Sequence, residues 1–396
     1  MNANATNAST GPLSHISVID LTRARSGPTC VRQLADWGAQ VVQVSSRAED
    51  YDDFDRRGSD TQNLRRNTRN ITIDLRKPEG VAILKRMAAT ADVLVENYRP
   101  GVKHRLGIDY ATLSALNPRL IYGSISGFGQ DGPYAERPGY DQIAQGMGGL
   151  MSVTGLPGQG PLRVGIPVAD LTAGIFLAQG ILVALIERDR SGRGQWVATS
   201  LLEAQTAMLD FQATRWLIDG EVPPQAGNDH PTSMPTGVFQ TTDGYINIAA
   251  TGQTMWRRLC EALGLEPLIE DPRFNTPLNR SANRGTMMPA LGVVLATRTS
   301  TEWVGVLNAA GIPCGPIFDI QQVYEDPQVQ HLGLATPVTH PVLGELLVQR
   351  HPVTASRTPP SVRSAAVDLG AHNDEVLAEL GYSAPEIERL RADGVI

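Results

Sequence analysis

The chain has 396 residues, of which 41% are hydrophobic and 19% charged, as is typical of a soluble globular protein. This length allows two domains, or one large domain with an insertion. The formal net charge of -7 argues against a nucleic-acid-binding protein, which normally carries a basic face.

The cysteine and histidine patterns exclude two kinds of site. Cys30, Cys260 and Cys314 are odd in number and widely spaced, so neither a disulfide framework nor a metal knuckle is indicated. The histidines form no cluster with metal-ligand spacing, so we expect no metal centre. Three scattered cysteines fit a reducing compartment, and we expect the cytoplasm.

The N-terminal part predicts a strand–helix–strand unit. Residues 1–14 are polar and low in complexity, which predicts a disordered lead without the features of a signal peptide. Residues 16–20 follow as a strand, "PTCVRQLADWG" as a helix with Pro28 in its first turn, and 41–44 as the next strand.

The alternation of strands and helices then continues. It predicts a helix over 79–90, a strand over 92–97, a helix over 109–116 and a strand over 120–126. Such alternation is typical of a doubly wound parallel sheet. No G-x-G-x-x-G motif follows the first strand, which disfavours a nicotinamide or flavin site. Ligands of such sheets bind beyond the carboxyl ends of the strands, here near 22–27, Glu96 and Ser126.

The pattern changes after a long apolar segment. The run 171–186 is shorter than the roughly 20 residues that span a bilayer, so we expect a buried core helix over 171–187 and no membrane partner. Residues 237–250 predict a β-hairpin, and helices follow near 253–263, 285–297 and 301–310, the last capped by Ser300. The C-terminal 28 or so residues predict two amphipathic helices.

These elements suggest a discontinuous architecture. We expect an α/β fold with a large domain over 15–217, a Pro- and Gly-rich linker over 218–236, and a small α+β domain over 237–325. Residues 326–396 form a return linker and the C-terminal part of the large domain.

Asp170 is a carboxylate in an otherwise apolar segment, and two interpretations stay open. Asp is a good N-cap, so Asp170 can simply begin the long helix. It can also be a nucleophile, because a dry pocket strips a carboxylate of its hydration and a helix N-terminus keeps it ionised.

Arginines cluster in two places. The segment 56–77 is rich in arginine, and it is either a solvated basic face or a phosphate clamp. The loop "TRARSGPTC" precedes a helix N-terminus, which makes Arg23 and Arg25 an anion site unless one of them pairs with Asp20 or Asp36. Tyr140 and Asp141 begin a glycine-rich helix, where Asp141 is favoured by the helix dipole.

Several segments taken together resemble one family. They are "DLTRARSGPTCVRQLADWGAQVVQV", "ENYRPGVKHRLGIDY", "GSISGFGQDGPYAERPGYDQIAQGMGG", "VADLTAGIFLAQGILVALIERDRSGRGQ" and "LGAHNDEVLAELGYSAPEIERLRADGVI". This set is similar to the CaiB/BaiF proteins, the class III CoA-transferases, from about residue 14 to the C-terminus. Within the family, the formyl-CoA:oxalate CoA-transferases have the most similar pattern.

The resemblance implies a fold and a mechanism. It implies a Rossmann-like large domain, and a homodimer of two subunits threaded as interlocked rings. It implies that Asp170 attacks an acyl-CoA and forms first an acyl-aspartyl anhydride and then an aspartyl-CoA thioester, which the acceptor carboxylate resolves. CoA is a substrate there, and no tightly bound cofactor is implied.

The resemblance also implies binding residues. The CoA contacts transfer to Arg25, Ser26, Leu64, Arg65, Arg66, Asn67, Asn97, Tyr98, Arg99 and Arg105, with Arg47 as a further candidate. The substrate contacts transfer to Arg25, Tyr140, Asp141 and His230.

Two departures from the oxalate enzymes bear on the substrate. Arg25 stands where those enzymes have glutamine, and "GNDHPTSMPTGVF" (227–239) lacks their polyglycine loop. Both disfavour oxalate. We therefore expect Arg25 to hold the second carboxylate of a small dicarboxylic acid, unless Asp170 itself is its partner.

Two other functions fit the sequence less well. An α-methylacyl-CoA racemase of the same fold needs an acid/base pair, but its histidine is replaced here by Tyr140, and tyrosine is in general a poor base at neutral pH. A non-catalytic CoA-binding protein would not need Asp170 and its surroundings. The sequence therefore favours an acyl-CoA:carboxylate CoA-transferase.

Overall fold

The computed structural model describes residues 11–46 and 55–396. These residues divide into two compact units. The larger unit contains residues up to 150, 164–214 and 328–396, and the smaller unit contains 151–163 and 215–327. The smaller unit thus includes a short segment before the long apolar helix, besides the region that we assigned to a linker and a small domain.

The larger unit is built on a six-stranded sheet whose strands all run parallel. The strand order is β3-β2-β1-β4-β5-β6, the order of doubly wound dinucleotide-binding folds. The strands are β1 (Ser17–Asp20), β2 (Gln40–Ser45), β3 (Thr68–Thr72), β4 (Val93–Glu96), β5 (Ile121–Ser126) and β6 (Trp196–Ser200). The predicted parallel α/β sheet is confirmed.

Helices connect the strands of this sheet and follow its last strand. They are α1 (Ser26–Asp36), α2 (Ser59–Leu64), α3 (Pro78–Ala88), α4 (Pro100–Leu106), α5 (Tyr110–Leu116), α6 (Asp141–Met147), α7 (Leu150–Val153), α8 (Val168–Ser191), α9 (Leu201–Ala207) and α10 (Phe211–Asp219).

Alternating side chains bury both faces of the sheet. Val18, Val93 and Val95 contact one apolar cluster together with α1, α8 and α9. Ile19 and Leu94, one residue out of phase, contact the other cluster with α3, α5 and the two C-terminal helices. This two-residue period of a strand explains why the strands are apolar on both faces.

The smaller unit has its own core. A three-stranded antiparallel sheet, β7 (Thr236–Gln240), β8 (Tyr245–Ala249) and β9 (Cys314–Pro316), packs with α11 (Gly252–Leu263), α12 (Pro277–Ala282), α13 (Arg284–Leu295) and α14 (Ser300–Ala309). The predicted hairpin is present as β7 and β8. The N-cap of α14 is Thr299 rather than Ser300, because Thr299 and Glu302 form a capping box.

The C-terminal segment begins with α15 (Ile320–Glu325) and α16 (Pro327–Leu332). Within the larger unit, β10 (Ala335–His340) and β11 (Gly344–Gln349) then form a hairpin, and α17 (Asn373–Glu379) and α18 (Ala384–Ala392) follow. The two C-terminal helices were predicted and are confirmed.

Two features differ from expectation. Residues 11–14, which we placed in a disordered lead, form a turn in which Leu13 N–H donates to Trp37 O at 3.1 Å. The sequence did not predict β3, because its polar Asn70 is buried and paired with Gln43 and Ser45 of the neighbouring strand. Residues 1–10 and 47–54 lie outside the described part, and with them Arg47.

The long helix α8 has 24 residues, more than the apolar run suggested. Among the described residues it is the one helix long and apolar enough to cross a membrane by length and composition alone. Its residues Ala173, Leu177 and Ile181 are buried in the cluster that includes α1, which is the behaviour of a core helix.

Candidate functional site

Asp170 is the third residue of α8. The N-cap of this helix is Pro167, whose side chain makes no capping hydrogen bond. The interpretation of Asp170 as the N-cap is therefore wrong. Its side chain instead lines a cavity at the carboxyl ends of the central strands.

Asp141 caps α8 from a distance. Its Oδ1 accepts hydrogen bonds from the N–H groups of Ala169 at 2.9 Å and Asp170 at 3.3 Å. Gln145 Nε2 donates to Asp141 Oδ2 at 2.7 Å, one turn along α6. Because Asp141 is buried, this capping places a second carboxylate beside the first turn of α8.

Burial raises the pKa of Asp170, and the negative charge of Asp141 raises it further. The resulting pKa is about 6. The Arg25 cation and a hydrogen bond with Ser26 act in the opposite direction. At pH 7 the carboxylate form of a group with this pKa still dominates by about ten to one. Asp170 is thus a poorly solvated carboxylate that is mostly ionised, as a carboxylate nucleophile must be.

Ser26 reaches Asp170 because α1 and α8 pack closely. Gly174 lies one turn after Asp170, and a Cβ there would lie 2.5 Å from Ser26 O and 2.7 Å from Thr29 Cβ. A side chain at 174 would therefore separate the two helices. Just before α1, Ala24 has a φ of 55°, in the left-handed region that costs a residue with a Cβ on the order of 1 kcal/mol.

The cavity that contains Asp170 has a volume of about 240 Å³. Its lining comes from the ends of β1, β4 and β5, the segment 135–140 and the start of α8. Asn97 connects two of these loops, since its Oδ1 accepts from Arg23 N–H at 2.9 Å and its Nδ2 donates to Arg23 O at 2.8 Å. These are the loops after β1 and β4, between which the strand order reverses, the usual ligand position in such sheets.

A glycine pair forms one wall of this cavity. A Cβ on Gly127 would lie 2.8 Å from Gly139 Cα, so the two backbones touch where any side chain would hold them apart. This contact brings the segment 135–140, which contains Arg137 and Tyr140, against the end of β5.

A second cavity of about 490 Å³ adjoins the first. Arg23 and Tyr98 line both. The remaining lining comes largely from the ends of β2 and β3, including Ser45, Ser46 and Arg76. Burial raises the pKa of Tyr98 to about 12, so its phenol stays protonated.

The structure brings together six of the predicted site residues. Ser26, Asn97, Tyr98, Arg99, Tyr140 and Asp170 all line the first cavity. Asp141 lies behind Asp170 as the cap of its helix.

The segment 64–67 is different, because its side chains are structural. Arg65 pairs with Asp20 at 2.7 Å and Arg66 with Asp36 at 2.6 Å, and all four side chains are buried. Asn67 binds the returning chain through Ser361 O, and Leu64 is in the core. These residues line neither cavity, and their role as CoA contacts stays a prediction from the family resemblance.

Arg25 and Arg105, two further predicted site residues of the larger unit, line neither cavity. Arg25 Nη2 pairs with Asp60 Oδ2 at 2.7 Å rather than with Asp20 or Asp36, and its charge also lowers the pKa of Asp170. Arg105 is exposed on α4 and lines neither cavity. His230 belongs to the smaller unit, where its Nδ1 accepts from Ser233 N–H at 2.9 Å.

The strand-end rule already pointed to Ser126, the last residue of β5, and Ser126 lines the cavity. Arg137 also lines the cavity but was not predicted from the sequence. Arg137 stands three residues before Tyr140, but nothing in the spacing separated it from the many other arginines. Within residues 11–46 and 55–396, no group of three His, Cys, Asp or Glu residues could hold a metal ion.

Comparison with known proteins gives a consistent picture. The model of CoA-transferase family III matches residues 13–373. A succinate–glutarate CoA-transferase from Agrobacterium fabrum is 38% identical over 93% of this chain and 96% of its own. A formyl-CoA:oxalate CoA-transferase from Rhodopseudomonas palustris is 32% identical over 97% of both chains.

Solved structures agree with this. The crystal structure of a CaiB/BaiF family protein from Brucella suis is 34% identical, with a TM-score of 0.83 over 94% of this chain and all of that one.

Proposed function

The chain belongs to CoA-transferase family III, and from this premise we propose that Asp170 is its nucleophile and that the CoA acceptor is a small dicarboxylic acid. That the enzyme transfers CoA between carboxylic acids follows from its relatives. One observation carries the proposal. Among the described residues that line the first cavity, Asp170 is the one carboxylate.

The chemistry assigned to Asp170 is two reversible acyl transfers. An Asp170 oxygen attacks the thioester carbonyl of the donor, the C–S bond breaks, and CoA leaves as a thiolate. The product is a mixed anhydride of Asp170 and the donor acid. The thiolate then attacks the Asp170 carbonyl, which releases the donor carboxylate and leaves CoA as a thioester on Asp170.

The acceptor reverses these steps. Its carboxylate attacks the aspartyl thioester, which forms a second anhydride and frees the thiolate. The thiolate attacks the acceptor's carbonyl in that anhydride, which yields the new acyl-CoA and regenerates the Asp170 carboxylate. No proton is gained or lost in this sequence, so it needs only a carboxylate that is ionised and poorly hydrated.

The surroundings of Asp170 supply both conditions. Burial weakens its hydration, while the N-terminus of α8, the Ser26 hydrogen bond and the nearby Arg25 favour its ionised form. A nucleophile held at a helix N-terminus also has a fixed position, so less entropy is lost on reaching the transition state.

The adjoining cavities suit a long CoA molecule. We place the pantetheine arm in the first cavity and the adenosine end in the second, because Arg23 and Tyr98 line both. Arg23 and Arg99 supply cations along this route, where arginine binds phosphate through paired N–H groups.

The dicarboxylate proposal is supported by charge. Three arginines line the first cavity against the single carboxylate, which leaves room for further negative charge. The name of the Agrobacterium fabrum relative contains two dicarboxylates, succinate and glutarate. A racemase is disfavoured, because the position of the racemase acid/base histidine is taken by Tyr140, whose side chain is exposed.

We also propose that the enzyme is a homodimer, with the interlocked subunits that the family resemblance implies. In the larger unit, α8 exposes Ile175, Val183 and Ile186, each at least half accessible in the single chain. A contiguous apolar face of this kind needs a partner. The cytoplasmic location stays a prediction from cysteine content.

A trapping experiment tests the mechanism. The wild-type protein is incubated with succinyl-CoA, quenched with hydroxylamine or borohydride, and digested for mass spectrometry. A modified Asp170 that depends on the acyl-CoA supports the proposal. Modification at another residue, with Asp170 unmodified during turnover, contradicts it. The acceptor class is tested in parallel by a transfer assay with mono- and dicarboxylates.

A further inference from the structure

We propose that Arg137 is the substrate-binding cation that recognises the second carboxylate of the dicarboxylic substrate. This inference rests on the proposed function, since it assigns a residue to that function's substrate. It replaces Arg25, to which the sequence analysis assigned this role.

The arginines near the site differ in whether they form an ion pair with a carboxylate. Arg25, Arg65 and Arg66 each pair with an aspartate at 2.6–2.7 Å. Arg23, Arg99 and Arg137, which line the first cavity, have no carboxylate partner among residues 11–46 and 55–396. A cavity with cations of this kind can accept an anionic ligand without first breaking an ion pair.

Arg23, Arg99 and Arg137 differ in their position relative to the second cavity. Arg23 lines both cavities, and its Nη2 donates to Ser46 Oγ at 2.6 Å at the second one. Arg99, like Arg137, lines only the first cavity, but it directly follows Tyr98, which lines both. Both therefore lie along the proposed route of CoA. Arg137 lines the cavity of Asp170 but not the second cavity, as a residue that binds the acyl group should.

The side chain of Arg137 is stacked on an aromatic ring. Its guanidinium carbon lies 3.8 Å from the centroid of the Tyr134 ring, which is a stacked cation–π contact. Tyr134 in turn packs edge-to-face on Phe128, with centroids 6.0 Å apart. Stacking occupies the face of the guanidinium and leaves its N–H edge to bind a carboxylate through two parallel hydrogen bonds.

The backbone that carries Arg137 is held at the cavity wall. Pro138 follows it directly, and the contact between Gly127 and Gly139 holds this segment at the cavity wall. The guanidinium of Arg137 is thus stacked on a ring, and the segment that carries Arg137 is fixed by the glycine contact. Such a preorganised cation loses little side-chain entropy when the ligand binds.

An oxyanion at Arg137 can come from two sources, the remote carboxylate of the acid or a phosphate of CoA. The test therefore uses glutarate, glutaramate and desulfo-CoA. Glutaramate has the size of glutarate but an amide in place of one carboxylate, and desulfo-CoA carries the phosphates without a thiol. The KM for glutarate and the kcat/KM for glutaramate as an acceptor are measured with saturating succinyl-CoA. Desulfo-CoA is tested as a competitive inhibitor at varied succinyl-CoA concentrations.

For Arg137→Gln we expect the KM for glutarate to rise about ten- to a hundredfold, which is the effect of losing a charge-assisted pair. The kcat/KM of glutaramate should change less than about twofold, because glutaramate that reacts has its carboxylate at Asp170 and its amide at Arg137. The inhibition constant of desulfo-CoA should also change less than about twofold, because its phosphates do not depend on that pair. Arg137→Lys should recover part of the loss. Tyr134→Phe should match the wild type, while Tyr134→Leu should raise the KM about two- to fivefold.

The matched control is Arg86→Gln. Arg86 is also an exposed arginine stacked on a tyrosine, 4.8 Å from the Tyr382 centroid, but it lines neither cavity. Its substitution should leave every constant unchanged.

Two outcomes would overturn the assignment. If Arg137→Gln weakens desulfo-CoA tenfold and leaves the glutarate KM unchanged, Arg137 binds a CoA phosphate. If Arg137→Gln changes neither constant, Arg137 binds no ligand. A wild-type enzyme that transfers CoA to monocarboxylates but not to dicarboxylates would instead contradict the proposed acceptor, and Arg137→Gln would then be without effect on that transfer.

Discussion

The carboxylate of Asp141 caps the helix that carries Asp170, accepting a hydrogen bond from the Asp170 N–H at 3.3 Å. The same carboxylate raises the pKa of the Asp170 side chain, which burial has already raised. One residue therefore both positions the proposed nucleophile and tunes its ionisation.

The first prediction is a pH dependence. The ionised carboxylate is the reactive form, so the single-turnover rate of Asp170 acylation should rise with pH and level off above a midpoint near 6. Asp141→Asn keeps the capping oxygen but removes the charge, so the midpoint should fall. Arg25→Gln removes a cation that lowers the pKa, so the midpoint should rise. If the pH midpoints of the two variants shifted in the same direction, this electrostatic explanation would be refuted.

The raised pKa also affects stability. Because the folded state holds the Asp170 proton more tightly than the unfolded chain, ionisation lowers the free energy of unfolding as pH rises from about 4 to about 6. Asp170→Asn should therefore be more stable than the wild type above pH 6 and similar to it below pH 4, as measured by denaturant unfolding.

The second prediction concerns the nucleophile itself. Asp170→Asn and Asp170→Ala should lower kcat by at least about a thousandfold, because a covalent step is lost rather than weakened. CoA binding, measured by titration calorimetry, should change less than about twofold. Asp189→Asn is the matched control, since Asp189 is an exposed carboxylate on the same helix. A variant of Asp170 with wild-type kcat would exclude the mechanism.

The third prediction concerns a buried ion pair next to the site. Lys103 Nζ lies 2.8 Å from Glu96 Oε1, both side chains are almost inaccessible, and Glu96 Oε2 accepts from Tyr98 N–H. Lys103→Met should lower the free energy of unfolding by about 3–5 kcal/mol, because it leaves an uncompensated buried charge. Adding Glu96→Leu should recover more than half of this loss.

Urea unfolding at pH 7 measures these differences. The control is Arg57→Met, which breaks the exposed pair between Arg57 and Asp368 and should cost less than about 1 kcal/mol. Equal losses at the two pairs would show that burial is not the cause.

The fourth prediction concerns the contact between α1 and α8. Gly174→Ala should destabilise the protein by about 1–3 kcal/mol and lower kcat, because the added Cβ meets Ser26 O and moves Ser26 away from Asp170. Gly305→Ala is the comparison, since Gly305 lies in α14 with no atom within 4 Å of its Cβ position. That change should stabilise the protein by up to about 1 kcal/mol. Thermal unfolding of Gly174→Ala and Gly305→Ala measures the two changes in stability.

The fifth prediction concerns assembly. Interlocked subunits cannot separate without unfolding, so sedimentation should show a dimer at every concentration at which the protein is folded. Unfolding should then depend on protein concentration. A folded monomer that forms on dilution would count against interlocking, and Ile186→Lys, on the exposed face of α8, should reduce the yield of folded dimer.

Much of this protein could be predicted from its sequence because the signals are local. The alternation of apolar strands with helices predicted the parallel sheet, and the strand-end rule led to the loops near Arg23 and Asn97. Asp170 stood out as a single carboxylate at the start of an apolar helix, and it lines the cavity.

The partners of charged side chains were decided only by the tertiary structure. Arg65 meets Asp20 across 45 positions and Arg66 meets Asp36 across 30, and Asp141 caps a helix that begins almost 30 residues later. Each of these contacts is stabilised because an unpaired buried charge is energetically costly. Which charges become buried together depends on how distant segments of the chain pack. Local pattern therefore determined where the sheet and the proposed nucleophile Asp170 lie. Packing determined which arginines form ion pairs and which, like Arg137, line the cavity without an ion-pair partner among the described residues.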